Sequence, residues 1–543
     1  MIMNILQDFV LVLFIVSSAW IIFRDRNTRL GIIVKEGDWK YTNGKQGLLT
    51  TIGRSSSADV KLKERSVSRL QAVISYNPKT HNYDMTEYGK FGSCSNGYHI
   101  ANHSLQFKMP CEERCFEFGF IPMLFSVLFI LLQAISAYGE FDTGMVMIPH
   151  LILLCFVVIT FFIRADKQPI TESIFAMFLT YYVDATLYDL STDEELSKGI
   201  TSAVLGIAFY TSLSLLMRLF LKFDMDKFNI HSTLRIIAVS TIVFIIIINL
   251  ALAKEINGAY NWITIGSITF QPSELVKLLL AFVLIVPTGK HFYSIDNLVI
   301  ILGTTITCFV YGLLIKDIGA LLQFGIIFVI AVLIQNSNIL YSVLMIVAGI
   351  AGSKGVLYVS ATASSRIEGW LGESNNLFES LTASGIFDNP NTYGYQPIHS
   401  LVAAFKNGAL FGNSEFNVLK GIEAANSDLV TSMIAQKHGS IVIYLILALY
   451  IVLIINTIFT LRQKSKIQQI FSCIGITLVV FAMALNLCGT YGIVALTGVV
   501  SPALSDGISA AISYGCIFGV ISSSAMSKEY LKTIRKGEKT YER

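Results

Sequence analysis

Charged side chains are scarce in this chain. Of its 543 residues only 14% are Asp, Glu, Lys or Arg, while 53% are hydrophobic, too few polar groups to cover the apolar surface of a soluble fold. The composition is that of a bilayer protein. The net charge of +3 is too small to support nucleic-acid binding. The eight cysteines, Cys94, Cys111, Cys115, Cys155, Cys308, Cys473, Cys488 and Cys516, show neither CxxC spacing nor a paired framework, and read as reduced, mostly buried thiols. No basic residue precedes the apolar run from Phe9 to Phe23; Arg24, Arg26 and Arg29 follow it. A cleaved secretory signal carries its positive charge first. The positive-inside rule therefore puts Met1 outside and Arg29 in the cytoplasm.

Hydrophobicity then divides the chain. Residues 1–29 form an N-terminal anchor. Over 30–117 the apolar runs vanish, and short alternating segments (Leu48 to Ile52, Asp59 to Leu62, Gln71 to Tyr76, Tyr83 to Thr86) are separated by Gly, Asn and Pro turns, which predicts a small cytoplasmic all-β sandwich. Two further membrane spans occupy 118–169, a helical core occupies 170–526, and a basic tail closes the chain at 527–543. Counting spans near 118–138, 144–163, 171–190, 199–221, 234–254, 272–288, 297–315, 318–335, 339–360, 440–459, 467–490 and 506–526 with the first gives a polytopic α-helical membrane protein of about 13 transmembrane helices. The span at 171–190 is the weakest, because it carries Asp184 and Asp189. Loops counted as cytoplasmic hold Arg164, Lys167, Lys222, Lys227, Lys290, Arg462 and Lys464, and those counted as outer hold Asp193, Glu194 and Glu195, the bias the rule requires. One outer connection, 361–437, is far longer than a helix turn, and long loops on a rigid scaffold tend to carry function.

Five ordered strings carry chemistry. Gly258-Ala259-Tyr260-Asn261-Trp262-Ile263 is followed by Gln271-Pro272-Ser273-Glu274-Leu275-Val276-Lys277, which sets Glu274 and Lys277 at the start of an apolar span. Ionisable groups at that depth are expensive and usually functional, although these two could simply neutralise one another. Asp317-Ile318-Gly319-Ala320 opens another span, where the Asp could equally cap the helix. The large loop contains Gly394-Tyr395-Gln396, Ser400-Leu401, Gly408 to Gly412 and Asn426-Ser427-Asp428; the last spans contain Asn486, Thr497-Gly498, Pro502 and Ser505-Asp506-Gly507-Ile508-Ser509. From about 170 to 526 these resemble, in order and sidedness, the GAxRWIxxGxxxxQPSExxK, DLGT, GYQ, HTD and SYGGS elements of the shape, elongation, division and sporulation (SEDS) family, to which RodA and FtsW belong.

The resemblance implies a SEDS-like bundle that polymerises glycan from lipid II on the outer face of the membrane, with undecaprenyl pyrophosphate leaving. A neutral sugar hydroxyl is a poor nucleophile, so a carboxylate base would supply roughly a hundredfold to ten-thousandfold. The family's base is an Asp in DPxGxGYQ, where this chain has Asp388-Asn389-Pro390-Asn391-Thr392-Tyr393-Gly394-Tyr395-Gln396. Asn389 takes the acid's place and cannot accept a proton. Either a shift of loop register presents Asp388, or the chain is a catalytically inactive scaffold; a lipid-linked sugar flippase is the third reading. Arg366, Glu274, Lys277, Asp317, Gln396, Asp428 and Ser505 are the substrate-binding residues that the resemblance implies. A divalent cation, Mg or Mn, would suit the leaving diphosphate, though no metal-ligand cluster is visible in the sequence. Asn261 stands for the family's Arg, Gln436-Lys437 for its paired Glu, and Asp506 and Ile508 for Tyr and Gly in SYGGS. A class B penicillin-binding protein, the transpeptidase with which relatives work, is the implied partner.

Within 30–117, Gly53-Arg54, Ser66-Val67-Ser68-Arg69 and Asn96-Gly97 resemble elements of forkhead-associated (FHA) domains, which hold phosphothreonine peptides on loops at one end of a sandwich; Gln71 stands where His is usual. A phosphate of about −2 charge suits Arg54, Ser68 and Arg69, and Asn96 can hold the peptide backbone. The implied partner is a phosphothreonine protein or a Ser/Thr kinase.

Overall fold

The computed structural model describes residues 2–25, strand segments between 31 and 108, and residues 120–141, 146–163, 169–189, 193–220, 230–256, 259–265, 268–285, 295–336, 370, 395–406, 410–412, 419, 422, 425–461, 466–505 and 507–522. Helix α1 (Ile2–Asp25) is followed by β1 (Gly31–Glu36), β2 (Asp38–Asn43), β3 (Leu49–Gly53), β4 (Val60–Lys61), β5 (Ala72–Asn77), β6 (Asn82–Glu87), β7 (His99–Ile100) and β8 (His103–Lys108). They form two four-stranded sheets, ordered β2-β1-β8-β7 and β4-β3-β5-β6. The antiparallel β5–β6 pair runs in register from Ala72 opposite Glu87 to Asn77 opposite Asn82, a segment in which alternation was the sequence signal.

Next come α2 (Phe120–Phe141), α3 (Met147–Ile163), α4 (Ile170–Asp189), α5 (Asp193–Phe220) and α6 (Ile230–Leu252). A three-stranded sheet, β9 (Lys254–Ile256), β10 (Ala259–Ile265) and β11 (Ile268–Phe270), precedes α7 (Ser273–Ile285), α8 (Ile295–Leu314) and α9 (Ile318–Asn336). After the long connection come α10 (Tyr395–Leu401) with a π turn at Val402–Lys406, α11 (Val430–His438), α12 (Ile441–Leu461), α13 (Lys466–Thr490) and α14 (Ile508–Ser522). Five of these, α1, α2, α6, α12 and α13, are long and apolar enough to cross a membrane. The expected span at 339–360 lies outside the described residues. The weakest expected span is the helix α4, whose residues from Ile170 to Asp184 are buried throughout.

Local chemistry sets the starts of the site helices. Pro272 precedes α7, where its fixed φ and missing N–H are harmless; its carbonyl accepts from Leu275 N at 3.0 Å and Val276 N at 3.1 Å. Asp317 Oδ1 accepts from Ala320 N at 2.9 Å and so caps α9. The residue before it, Lys316, takes a left-handed φ of 58° to turn α8 into α9.

The core is closed by small residues. All of α14 from Ser509 to Ser522 is buried, and its Gly515 and Gly519, four apart on one face, lie directly on the α5 backbone. A Cβ built on Gly515 would sit 2.4 Å from Gly206 O, and one on Gly519 2.4 Å from Tyr210 O. This is the close helix approach that small-xxx-small spacing permits. Gly515→Ala is expected to destabilise by about 1–3 kcal/mol through overpacking, read as a lower unfolding temperature in detergent. Gly303→Ala on α8, where nothing lies within 4 Å of the added Cβ, should cause no such loss.

Candidate functional site

The site is built where the three-stranded sheet, the first turns of α7 and α9, and the segment before α14 converge. Asp317 is its centre. Besides capping α9, its Oδ2 accepts from Gln271 Nε2 at 2.9 Å, with Ser273 Oγ at 3.4 Å and Asn261 Nδ2 at 3.5 Å. Asn261, at the position where the resemblance implies an arginine, is thus a neutral donor beside the acid. Tyr260 N donates to Ile315 O at 2.9 Å, fastening β10 to the end of α8. The Tyr260 hydroxyl donates to Glu255 Oε2 at 2.6 Å; that hydrogen bond and the carboxylate charge raise the phenol's pKa. Gln271 N donates to Ser509 Oγ at 2.7 Å, tying the end of β11 to α14.

One turn further into α7, Lys277 and Glu274 form an ion pair at 2.5 Å, with side-chain exposures of 1% and 7%. The spacing i, i+3 puts both on one helix face. Lys277 Nζ also donates to Gln323 Oε1 of α9 at 3.1 Å and lies 4.8 Å from the Tyr514 ring centroid of α14. The ammonium is thus held by a carboxylate, an amide and an aromatic face, which is how a buried cation is stabilised. This geometry serves the neutralising role that the sequence left open, and joins α7, α9 and α14.

A second buried ionic cluster was not foreseen as one. Asp184 on α4 accepts from Lys437 Nζ at 2.7 Å and from His438 Nε2 at 2.5 Å. A carboxylate only accepts, so Nε2 carries the proton. Lys437, seen in the sequence as a reversed charge, is matched by the carboxylate that had weakened the reading of α4 as a span. The available signal was an intramembrane Asp together with a Lys-His pair heading another apolar span.

The segment holding Asp428 is pinned by its main chain. Asp428 O accepts from Asn486 Nδ2 and Thr490 Oγ1, both at 2.8 Å, and Asn486 also donates to Val499 O at 3.0 Å. Ser505 Oγ donates to Ser427 O at 2.6 Å and accepts from Ser501 N at 2.6 Å, so this hydroxyl holds loop to loop. Gly319 packs against the same stretch, and a Cβ there would lie 2.8 Å from Val499 Cγ2 and 3.3 Å from Thr497 O. Gln396 lies half-buried in α10, beside His399, whose Nδ1 is 2.7 Å from Tyr395 O. Asp388, Arg366 and Asn389 lie outside the described residues, as do Arg54, Ser68, Arg69 and Asn96. An apolar cavity of about 210 Å³ between α6 and α8, lined by Val239, Ile242, Val243, Val299 and Ile300, holds none of the candidate residues.

A bundle of apolar helices with paired charges inside it and polar loop segments at its helix ends defines a polytopic membrane protein. The chain belongs to the FtsW/RodA/SpoVE family of cell cycle proteins, whose model matches residues 173–530. A separate FHA-domain model matches residues 50–108. The probable peptidoglycan glycosyltransferase FtsW of Helicobacter pylori is 24% identical over 372 residues, covering 63% of this chain and 92% of its own length. The corresponding protein of Haemophilus influenzae is 26% identical over 283 residues, covering 50% of this chain and 68% of the relative. The peptidoglycan glycosyltransferase RodA of Mycobacterium tuberculosis is 22% identical over 289 residues, covering 50% and 59%. Among solved structures, a peptidoglycan synthase complex matches with TM-score 0.45 and 20% identity over 64% of this chain and 95% of the other. The rod shape determining protein RodA of Thermus thermophilus matches with TM-score 0.42 and 18% identity over 64% and 93%.

Removing one member of a buried pair strands the other. Lys277→Met is therefore expected to destabilise by about 3–5 kcal/mol, and adding Glu274→Gln should recover most of that loss. Thermal unfolding of the two variants in detergent measures both.

Proposed function

We propose that this protein is a peptidoglycan glycan-strand polymerase acting on lipid II at the outer face of the bacterial plasma membrane. The family match over 173–530 carries the reading, and relatives named peptidoglycan glycosyltransferase support it. In this mechanism the acceptor sugar hydroxyl attacks the anomeric carbon of a lipid-linked donor, the C–O bond to undecaprenyl pyrophosphate breaks with inversion, and Asp388 takes the hydroxyl proton. A base within hydrogen-bond reach contributes roughly a hundredfold to ten-thousandfold. Arg366 would meet the departing diphosphate through paired N–H donors, with Gln396 and Asp428 on the same loop to orient sugars. Glu274, Lys277, Asp317 and Ser505 would act on substrate through the packing they hold. A divalent cation, Mg or Mn, would neutralise the diphosphate when bound; among the described residues no three His, Cys, Asp or Glu side chains gather to hold one.

About 13 spanning helices with Met1 outside and the FHA domain and C-terminus in the cytoplasm complete the topology. Asn4, near the N-terminus, bonds to Phe411 O and Lys437 O of the large loop, which supports placing both at one face. The FHA domain, a sandwich in this reading, binds a phosphothreonine protein or a Ser/Thr kinase, and a class B penicillin-binding protein cross-links the product.

Two measurements on the full-length protein in nanodiscs test this. Purified lipid II should be polymerised by the wild type, and Asp388→Ala should lower the rate by about a hundredfold or more without changing the unfolding temperature. No polymer with or without the transpeptidase would favour the scaffold, and lipid movement without polymer would favour the flippase. A phosphothreonine peptide should bind at least about tenfold more tightly than its unphosphorylated form, the factor expected for charge-assisted hydrogen bonds, and Arg54→Ala should erase the difference. Equal affinity for the two peptides would sink the phosphate-reading role.

A further inference from the structure

The family match begins at Ser173, within α4, so α1, α2 and α3 lie N-terminal to it. Yet α1 is docked along its length. Gln7, Val10, Leu11, Phe14, Ser18, Ile21 and Ile22 are buried, one face at helical spacing, and α1 packs on α2 and α12. At its first turn the side chain of Asn4 leaves the helix and reaches the large loop. Its Nδ2 donates to Phe411 O at 3.0 Å and to Lys437 O at 2.9 Å. A primary amide has two N–H donors on one nitrogen, and here each serves a carbonyl from a different segment of the same loop.

Those segments touch backbone to backbone. Gly412 has φ of +85°, and a Cβ on it would lie 2.1 Å from Lys437 O and 2.9 Å from Asn4 Nδ2. Gly439 has φ of +108°, and a Cβ on it would lie 2.2 Å from Leu410 O. Both conformations favour glycine; at Gly412 the facing main chain and the Asn4 amide fill the space a Cβ would take, and at Gly439 the facing main chain does. Ile441 N donates weakly to Leu410 O at 3.4 Å. Two carbonyls brought side by side repel, and the shared amide offsets this. The same residue, Lys437, is held through its side chain by Asp184, while Asp428, just before α11, is held by α13. Helix α11 is thus fixed at both ends, and the fastening at its C-terminal end comes partly from a helix outside the family match.

We propose that Asn4 is a positioning residue for the large loop: α1 completes the candidate site by clipping Phe411 to Lys437, so that α10 and α11 are presented in one fixed arrangement. The consequence for activity rests on the polymerase reading; the consequence for loop order does not. Asn4→Asp tests both, because it keeps the shape of the side chain but replaces the two donors by an acceptor that faces two carbonyls. In full-length protein in nanodiscs, amide hydrogen exchange over Lys437 to Ile441 should accelerate roughly tenfold, the factor for one net hydrogen bond. The maximal rate of lipid II polymerisation should fall by a similar roughly tenfold factor, at an unchanged unfolding temperature. Gln7→Leu, on the same buried face but bonded to Leu132 O at 3.4 Å rather than to the loop, should leave exchange and rate as in the wild type. Unchanged exchange at Lys437 to Ile441 in Asn4→Asp would overturn the proposal whatever the activity, as would acceleration of equal size in Gln7→Leu. A wild type that makes no polymer would instead defeat the polymerase reading, and the exchange comparison would still decide whether the clip exists.

Discussion

An ionised side chain away from water is stabilised by its opposite or by hydrogen bonds, and among the described residues two buried ionic clusters meet that constraint while joining helices. Asp184 links α4 to the end of α11 through Lys437 and His438. Glu274 and Lys277 carry the pairing within α7, and Gln323 and Tyr514 extend it to α9 and α14. The placement of α11, and hence of the loop that precedes it, follows from the first pair. The packing of the three helices around the Asp317 site follows from the second. Truncating either acid would therefore disturb architecture before it disturbed any contact with substrate.

What was legible in the sequence was local. Apolar runs betray helices because a bilayer admits little else, and the Pro272 and Asp317 positions announce helix starts through their backbone chemistry. The alternation at Gln71 to Tyr76 and at Tyr83 to Thr86 foretold the β5–β6 pair. What could not be read was anything decided by partners distant in the chain. Asp184 looked like a defect in a hydrophobic run and Lys437 like an inverted charge, because each residue's explanation lies 253 positions away in the other. The strands at 254–270 were hidden inside a signature notable for its ionisable residues. Ser505 illustrates a third difficulty: a hydroxyl within a signature can be employed wholly in fastening one loop to another.

The polar groups of the candidate site also differ in how freely they can act. Asp317 is shared among a helix cap, an amide, a hydroxyl and a neutral asparagine, so its orientation is settled before any ligand arrives. Asp428 is constrained through its carbonyl, an arrangement that fixes the backbone from which the acid projects. Preorganisation of this kind lowers the cost of assembling a reactive geometry.

The contact of Gly515 and Gly519 with the α5 main chain has a mechanical corollary. With no side-chain layer between them, the two helices cannot slide past one another by exchanging rotamers, as helices cushioned by leucines can. They behave as a keel, so breathing of the bundle must occur at seams padded by larger residues. A side chain at Gly515 or Gly519 would meet a main-chain carbonyl, which no change of side chain across the crossing could move aside.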